Sequence, residues 1–366
     1  MGLVVSRIAL RDWRSFEDRT MDLSPGLTIL HGPNATGKTN TVEALQLLTA
    51  GSSFRRPRTQ DFVREGALSG RAQARLEGDG RVVDVACSVA DGKRRFKRND
   101  KACRPQDLSA TLMSVLFCPD DLSLVKQGAS HRRDELDAFG TQSNAGYRKV
   151  ARAYARSIEQ RNRLLKEPYP DLGLLDAWDA SVALGGATLL HARINLFSRL
   201  RNHVNKIYEQ VGGGEELDCS YECSLGEEAI GSTRDQLRDL FLKRLEESRA
   251  EELRRGVTLV GPQRDDVRFF ISGRDARSFG SQGQQRSVVL AWKMAEVAIA
   301  REVLGEQPLL LLDDVMSELD EARREACTRF VQSGIQTVVT TTNLAYFSPE
   351  LLHNAQVIPF GPSAQV

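Results

Sequence analysis

The chain has 366 residues, of which 41% are hydrophobic and 27% charged, and its formal net charge is +1. That is a globular composition, long enough for two domains or for one domain with a large insertion. The near-zero balance excludes a uniformly basic nucleic-acid binder, so any basic footprint has to be local.

The N-terminal stretch MGLVVSRIALRDW carries charges inside its short apolar run and does not read as a secretion signal. VSRIALRDW alternates as a strand does. MDLSPGLTILHG then gives two short runs split at Pro25–Gly26. A glycine-rich loop follows, and TNTVEALQLLTAG reads as a helix stopped by Gly51. Residues 70–98 form a strand meander, broken at the hairpin signals Asp79–Gly80 and Asp91–Gly92. Residues 112–119, LMSVLFCP, suit a buried strand.

From about residue 130 the period becomes helical. Apolar positions 150, 154, 158 and 164/165 make one stripe, ended by Pro168 and Pro170. A second runs through Leu190, Ile194, Phe197, Leu200, Val204 and Ile207 to the Gly212–Gly214 stop. Residues 233–255 make a third, charge-laced helix. Strand signals return at 257–262 (VTLVGP) and 267–273 (VRFFISG), which are expected to rejoin the N-terminal strands. Residues 308–315 (PLLLLDDV) and 336–343 (QTVVTTTN) are near-continuous apolar or β-branched runs of the kind a parallel sheet buries on both faces. The expected division is 1–129, an inserted helical domain with short coiled-coil-like helices at 130–255, and 256–366. No apolar run reaches membrane-spanning length. The six cysteines include no CxxC pair, and nothing near Cys219 and Cys223 completes a metal site. A reduced, cytoplasmic protein without membrane association is expected.

The strongest chemical signal is Gly32-Pro33-Asn34-Ala35-Thr36-Gly37-Lys38-Thr39, followed by Asn40. It fits the phosphate-binding pattern G-x-x-x-x-G-K-[ST], with a strand before it and a helix after it. Its glycines let backbone N–H groups curl around phosphate oxygens at a helix N-terminus. Lys38 is placed to reach the terminal phosphates of ATP, and the Thr39 hydroxyl to ligate Mg²⁺. LLLLDDV supplies the second half. Asp313 emerges at the C-terminal edge of a buried strand, where it can hold Mg²⁺, and Asp314 can face an attacking water. These two motifs lie at opposite ends of the chain, so the helical block is an insertion into one split α/β head.

The order of P-loop, Ser281-Gln282-Gly283-Gln284-Gln285, LLLLDD and SELD (317–320) resembles that of ABC-type ATPases, and the insertion resembles their SMC-like DNA-repair branch. LRDWRSF (10–16), NATGKTNTVEAL (34–45), GSSFR (51–55), CPDDLSLVKQGASHRRDELD (118–137), GPQRDD (261–266), SQGQQR (281–286) and DDVMSELD (313–320) are similar, nearly end to end, to the RecF family of bacterial recombination proteins. The resemblance implies an ABC-type head, a mixed sheet with helices on both faces, carrying the helical insertion. It implies ATP-driven head-to-tail dimers in which Ser281, Gln282 and Gly283 act on the partner's nucleotide and Ser317–Asp320 crosses the interface. It further implies clamping of double-stranded or gapped DNA, slow ATP hydrolysis that resets the clamp, and help to RecO and RecR in loading RecA. The chain departs from the ABC pattern in having Asp314 where Glu is usual, which implies slow turnover. It also lacks the switch histidine, leaving Thr341, Thr342 or Asn343 in that place. No glutamine matches the Q-loop, for which Asp120 of CPDD is the candidate, as a further metal ligand.

Two segments suit DNA phosphates: Lys93–Arg104 and Arg148–Lys166 each carry seven basic residues and one acid. The alternative of an SMC-type tethering protein needs hundreds of residues of heptad. A transporter ATPase has less chain between the motifs, and a P-loop kinase needs no serine–glycine signature.

Overall fold

In the computed structural model, which describes residues 2–361, the chain forms two compact units. One contains the chain up to Asp121 and again from Leu290, the other Leu122–Val289. In chain order the first unit supplies β1 (Val4–Trp13), β2 (Phe16–Asp22), β3 (Leu27–His31), α1 (Lys38–Ala50), β4 (Ser69–Gly78), β5 (Arg81–Ala90), β6 (Lys93–Arg98), β7 (Lys101–Cys103), α2 (Gln106–Ser109) and β8 (Ser114–Phe117). The second supplies α3 (Ser123–Lys126), α4 (Ala129–Ser143), α5 (Ala145–Leu165), α6 (Leu172–Val211), β9 (Leu217–Glu222), α7 (Arg234–Arg255), β10 (Asp266–Ile271), β11 (Arg274–Asp275) and α8 (Ala276–Phe279). The helix α9 (Gln282–Leu304) starts in the second unit and ends in the first, which β12 (Leu309–Asp313), α10 (Glu321–Val331), β13 (Thr337–Thr341), α11 (Pro349–Asn354) and β14 (Gln356–Pro359) complete.

In the first unit the antiparallel and parallel strands are sorted into two sheets. The antiparallel one has the order β2-β1-β4-β5-β6-β7, the parallel one β14-β3-β13-β12-β8. The hairpins at 79–80 and 91–92 fall where expected. Asp79, Gly80, Asp91 and Gly92 all take positive φ, as a two-residue turn matched to strand twist requires. Leu309–Leu312 are all fully buried, which is why that run shows no alternation. Helix α1 packs on β4 and β5 of one sheet and on β8, β12 and β13 of the other. Its Val42, Leu45, Leu47 and Leu48 join the two layers in one core. Gln336 stitches the layers a second time, since its amide accepts the Val5 N–H at 2.8 Å and donates to the Val5 carbonyl at 2.7 Å.

The second unit is a helical bundle with a small antiparallel sheet, β11-β10-β9. Helices α5 and α7 both pack on α6, around Tyr154, Val182, Ala183, Leu190, Leu237 and Phe241. The helix α6 begins at Leu172, well before the stripe legible from Leu190. Its Gly186 sits inside because a Cβ there would stand 2.4 Å from the Phe241 ring and 2.9 Å from that of Tyr154. No helix among the described residues is long and apolar enough to cross a membrane.

Two expectations are corrected. Residues 257–262 form no strand. Three of their donors go to side chains instead: Thr258 N–H to Asn162 Oδ1 at 2.7 Å, Leu259 N–H to Glu252 Oε1 at 2.7 Å, and Gly261 N–H to Ser224 Oγ at 2.8 Å. The strand at 266–271 does form, but it pairs with β9 and not with the N-terminal strands. Strand β9, LDCSYE, lay unread between two glycine-rich stretches. This sheet and the first turns of α9 cluster with the helices, so the second unit runs from 122 to 289 where 130–255 was expected.

Candidate active site

The loop between β3 and α1 is bent back on itself. Gly32 has φ 159° and a Cβ there would lie 1.8 Å from the Phe360 carbonyl oxygen; Gly37 has φ 101° and a Cβ would lie 2.4 Å from Phe16 Cζ. Both positions therefore admit only glycine. Ala35 also has positive φ, at 64°. Reversals of this kind turn successive N–H groups inward, as an anion-binding nest requires. Behind the loop, Phe16 and Phe360 meet edge to face at 6.4 Å.

Asn34, Ala35, Gly37, Lys38, Thr39, Asn40, Arg55, Asp314 and Thr340 line a cleft of about 150 Å³. Gly32 and Pro33 take part through their carbonyls, which accept Lys38 Nζ, each at 2.6 Å. Thr36 Oγ1 donates to the Pro33 carbonyl at 2.9 Å. Burial pulls the Lys38 ammonium below its usual pKa, against the opposing pull of Asp314 and then Asp313. Its contacts are carbonyls of its own loop, weaker partners for a cation than phosphate oxygens.

The two motifs meet directly. Thr39 Oγ1 donates to Asp313 Oδ1 at 2.9 Å, and Thr340 Oγ1 donates to the same oxygen at 2.8 Å. Burial raises the Asp313 carboxyl pKa, and the two hydroxyls, with Arg55, oppose the rise. Asp314 has φ 55°, a costly left-handed turn for a residue with a Cβ. Its amide is anchored on Thr340 Oγ1 at 2.9 Å and its carbonyl accepts Ser317 Oγ at 2.8 Å. Asp314 Oδ1 is buried and accepts no hydrogen bond. Burial also raises the Asp314 carboxyl pKa, with Lys38 opposing.

Among the described residues, no cluster of three or more His, Cys, Asp or Glu could hold a metal. One hydroxyl beside one carboxylate, Thr39 and Asp313, is instead the donor set that suits Mg²⁺ when phosphate oxygens and water complete the shell. Asp120 does not join it. It is exposed on the turn Pro119–Leu122 and does not line the cleft. Its neighbour Asp121 caps Cys118 N–H at 2.6 Å and pairs with Lys293 at 3.3 Å. The metal role expected for Asp120 is therefore withdrawn.

Ser281, Gln282 and Gly283 open α9 in the second unit. Ser281 and Gln284 form a reciprocal capping box: Ser281 N–H donates to Gln284 Oε1 at 2.7 Å, and Gln284 N–H to Ser281 Oγ at 3.2 Å. The Ser281 hydroxyl keeps its proton to donate, and the amides of Gln282 and Gly283 are first-turn groups with no partner inside the helix. This end of α9 is exposed at Ser281 and Gln282.

Two cleft residues escaped the sequence reading. Arg55 enters from the loop after α1 and donates to Asn40 Oδ1 at 2.9 Å. It stands 3.9 Å from Glu43, a fully buried carboxylate that also takes the Arg14 fork at 2.7 and 2.8 Å. The GSSFR stretch was its only signal. Thr340 enters through the parallel register that sets it opposite Asp313. Of the switch-position candidates, Thr341 and Asn343 bond each other, Thr341 Oγ1 to the Asn343 carbonyl at 3.0 Å, and Thr342 is exposed.

Residues 4–351 match the family described as the RecF/RecN/SMC N terminal domain. The DNA replication and repair protein RecF of Heliobacterium modesticaldum is 37% identical over 360 residues, 96% of each chain. RecF of Symbiobacterium thermophilum is 39% identical over 93% of this chain and 92% of its own. Among solved structures, the recombination mediator protein RecF of the RecFOR pathway, in complex with ATP, is similar with a TM-score of 0.87 and 29% identity over 95% of this chain and 94% of that one. An Smc head domain from Pyrococcus furiosus with an extended coiled coil is 13% identical, with a TM-score of 0.54 over 98% and 93% of the two chains, a likeness of fold alone.

Proposed function

The chain belongs to the RecF branch of the RecF/RecN/SMC family, and from that premise we propose that it is a cytoplasmic ATPase that uses ATP to close a head-to-tail dimer on DNA. The observation that carries the reading is the Thr39–Asp313 hydrogen bond, which joins the phosphate loop to the acidic strand in one cleft. In this reading the amides of residues 34–39 cradle the phosphates, and Lys38 leaves its carbonyl partners for phosphate oxygens. Thr39 and Asp313 hold Mg²⁺, which when bound neutralises phosphate charge. Ser281, Gln282 and Gly283 of a second copy meet the terminal phosphate, giving a two-fold, self-complementary interface. Water oxygen bonds to the γ-phosphorus as the bridge to ADP breaks. Asp314, with its unpartnered oxygen, takes the water proton and later releases it to solvent. Its carboxylate is one methylene shorter than the usual Glu, which supports slow turnover.

The DNA surface is proposed on two faces, each within one unit. On α5, Lys149, Arg152, Arg156 and Arg163 are exposed at helical spacing along one stripe. Arg161, counted with them from sequence, is fully buried in ion pairs with Asp179 at 2.6 Å and Glu252 at 2.7 Å and is withdrawn from the patch. On the antiparallel sheet, the register aligns Arg11, Arg71, Ser88 and Arg95 in a row across four strands, with the three arginines exposed. Both arrays offer charge without stacking platforms, as backbone contact requires. Double-stranded or gapped DNA, RecO and RecR, and through them RecA, are the partners this reading takes from the family. An SMC-type tether is disfavoured, because the longest helix, α6, has 40 residues and spans only about 60 Å.

The test is complementation. Lys38→Met and Ser281→Arg chains are each inactive alone. A mixed dimer has one doubly dead site and one intact site, so partial recovery of ATPase on mixing is expected. No recovery in preparations proven to contain mixed dimers rejects the trans arrangement.

A further inference from the structure

The first turns of α9 are tied to the end of α6 by two side-chain bonds. Gln284 Nε2 donates to Glu215 Oε1 at 2.6 Å, and Ser287 Oγ donates to the Val211 carbonyl at 2.9 Å. Glu215 comes directly after the Gly212–Gly214 turn that ends α6. That turn is closed tightly, since a Cβ on Gly212 would stand 2.3 Å from the Tyr208 ring. The Gln284 amide has a second task, because its Oε1 accepts the Ser281 N–H at 2.7 Å.

A side-chain amide has one donating end and one accepting end, whereas an ionised carboxylate only accepts. Beside Glu215, the NH₂ end of Gln284 must face the carboxylate, and its oxygen is left for Ser281. With the amide reversed, two donors would oppose each other at Ser281 and two acceptors at Glu215. The Ser281 N–H, which can only donate, sets this polarity from one side. The carboxylate at the foot of α6 enforces it from the other.

We infer that Glu215 is a positioning residue for Ser281. By anchoring the donor end of the Gln284 amide it holds the Ser281 turn where its hydroxyl meets the nucleotide of a second copy. It thereby links the end of the longest helix in the second unit to the phosphate-facing turn. The inference rests on the trans arrangement proposed above, and it deepens that reading by naming what aims the donor.

The donor logic permits a swap. Gln284→Glu alone sets two carboxylates against each other. Glu215→Gln alone keeps an acceptor for Gln284. In the double variant E215Q/Q284E, the amide now at position 215 donates to the carboxylate now at position 284. That carboxylate also accepts the Ser281 N–H, so the relay is rebuilt with its polarity reversed. ATP-driven dimerisation, followed by sedimentation, is expected to weaken about tenfold in Q284E and in E215A, the size of one lost charge-assisted bond. It should return to within about threefold of the parent in the double variant. ATP binding by the monomer should be unchanged throughout, which separates this role from damage to the fold. A second arm needs no nucleotide: hydrogen exchange of the Ser281 amide in the monomer should speed up about tenfold in E215A. An unchanged exchange rate overturns the inference, and so does a double variant no better than Q284E. A parent chain that stays monomeric with ATP overturns the trans reading, and with it the role of Ser281. The exchange arm then shows whether the relay itself holds.

Discussion

Thr340→Val removes a hydroxyl that serves both Asp313, through its carboxylate, and Asp314, through its backbone N–H. Thr340 is fully buried. Its hydroxyl donates to Asp313 Oδ1 at 2.8 Å and accepts the Asp314 amide at 2.9 Å. Valine has the same shape and can do neither. A buried carboxylate loses a charge-assisted bond, worth about 1.5–3 kcal/mol, and a backbone N–H is orphaned at a cost of about 1–3 kcal/mol. The two losses share one atom and do not add in full, so about 3 kcal/mol is expected. That is a substantial part of the roughly 5–15 kcal/mol that holds a typical domain. The site should suffer more selectively than the fold. Asp314 sits in a left-handed conformation that costs about 1–2 kcal/mol, and the Thr340 bond is one of two anchors holding it there. Once that is lost, ATP hydrolysis should fall at least about tenfold, or 1.4 kcal/mol of barrier. ATP binding, which the proposed function assigns to Lys38 and the loop amides, should change little. Single-turnover hydrolysis beside equilibrium ATP binding gives the split, urea unfolding gives the stability, and Thr340→Ser is the control that keeps the hydroxyl. A valine variant that hydrolyses ATP and unfolds like the parent refutes this account of the cleft.

Four other outcomes follow from the structure. Asp314→Asn cannot accept the water proton, so the ATP-bound dimer should persist in sedimentation after the parent has dissociated. Arg161→Met leaves Glu252 buried without its cation, while Asp179 keeps its pair with Arg249, and should cost about 3 kcal/mol in urea unfolding, with no change in the salt dependence of DNA binding. Arg152→Ala with Arg156→Ala should do the reverse, lowering the log–log salt slope by about 1.8 for two phosphate contacts and leaving stability nearly intact. Burial raises the Asp265 carboxyl pKa, against bonds from Ser224 and Tyr221. The folded chain therefore holds the Asp265 proton to higher pH than the unfolded chain does. The contribution of this group to stability falls as pH rises from the unfolded value of about 3.8 through the folded one. Asp265→Asn should flatten that slope in urea midpoints taken across the acid range, the Tyr221 hydroxyl turning to accept from the new amide.

What could be read in advance was what one short segment decides for itself. The phosphate loop was legible because its glycines answer to local φ and to backbone crowding, and the strand before it and helix after it confirm each other. The acidic strand was legible because four buried leucines and a terminal acid are contiguous. Thr340 and Arg55 were not, although both line the same cleft. Thr340 is a site residue only because the parallel register sets it opposite Asp313, and no spacing within β13 contains that fact. Its neighbours Thr341, Thr342 and Asn343 drew attention because a family pattern points past it.

Arg161 failed for the opposite reason. Counted along its helix it is one cation among seven. What turns it inward is a pair of carboxylates on two other helices, Asp179 of α6 and Glu252 of α7. A buried guanidinium is tolerable only when such partners are already in place. Charge on a helix therefore reads as surface until the packing of its neighbours is known. Gly186 shows the same limit for shape. It reads as a helix weakener, yet it lies within a 40-residue helix because the rings of Phe241 and Tyr154 occupy the space a side chain would need. The capping box at Ser281 stands between these cases. Its serine and glutamine are three residues apart and can be read together, but the carboxylate that holds the far end of the glutamine lies beyond the end of another helix. A local motif there states which groups can bond and which way round, and a distant residue decides how firmly they are held.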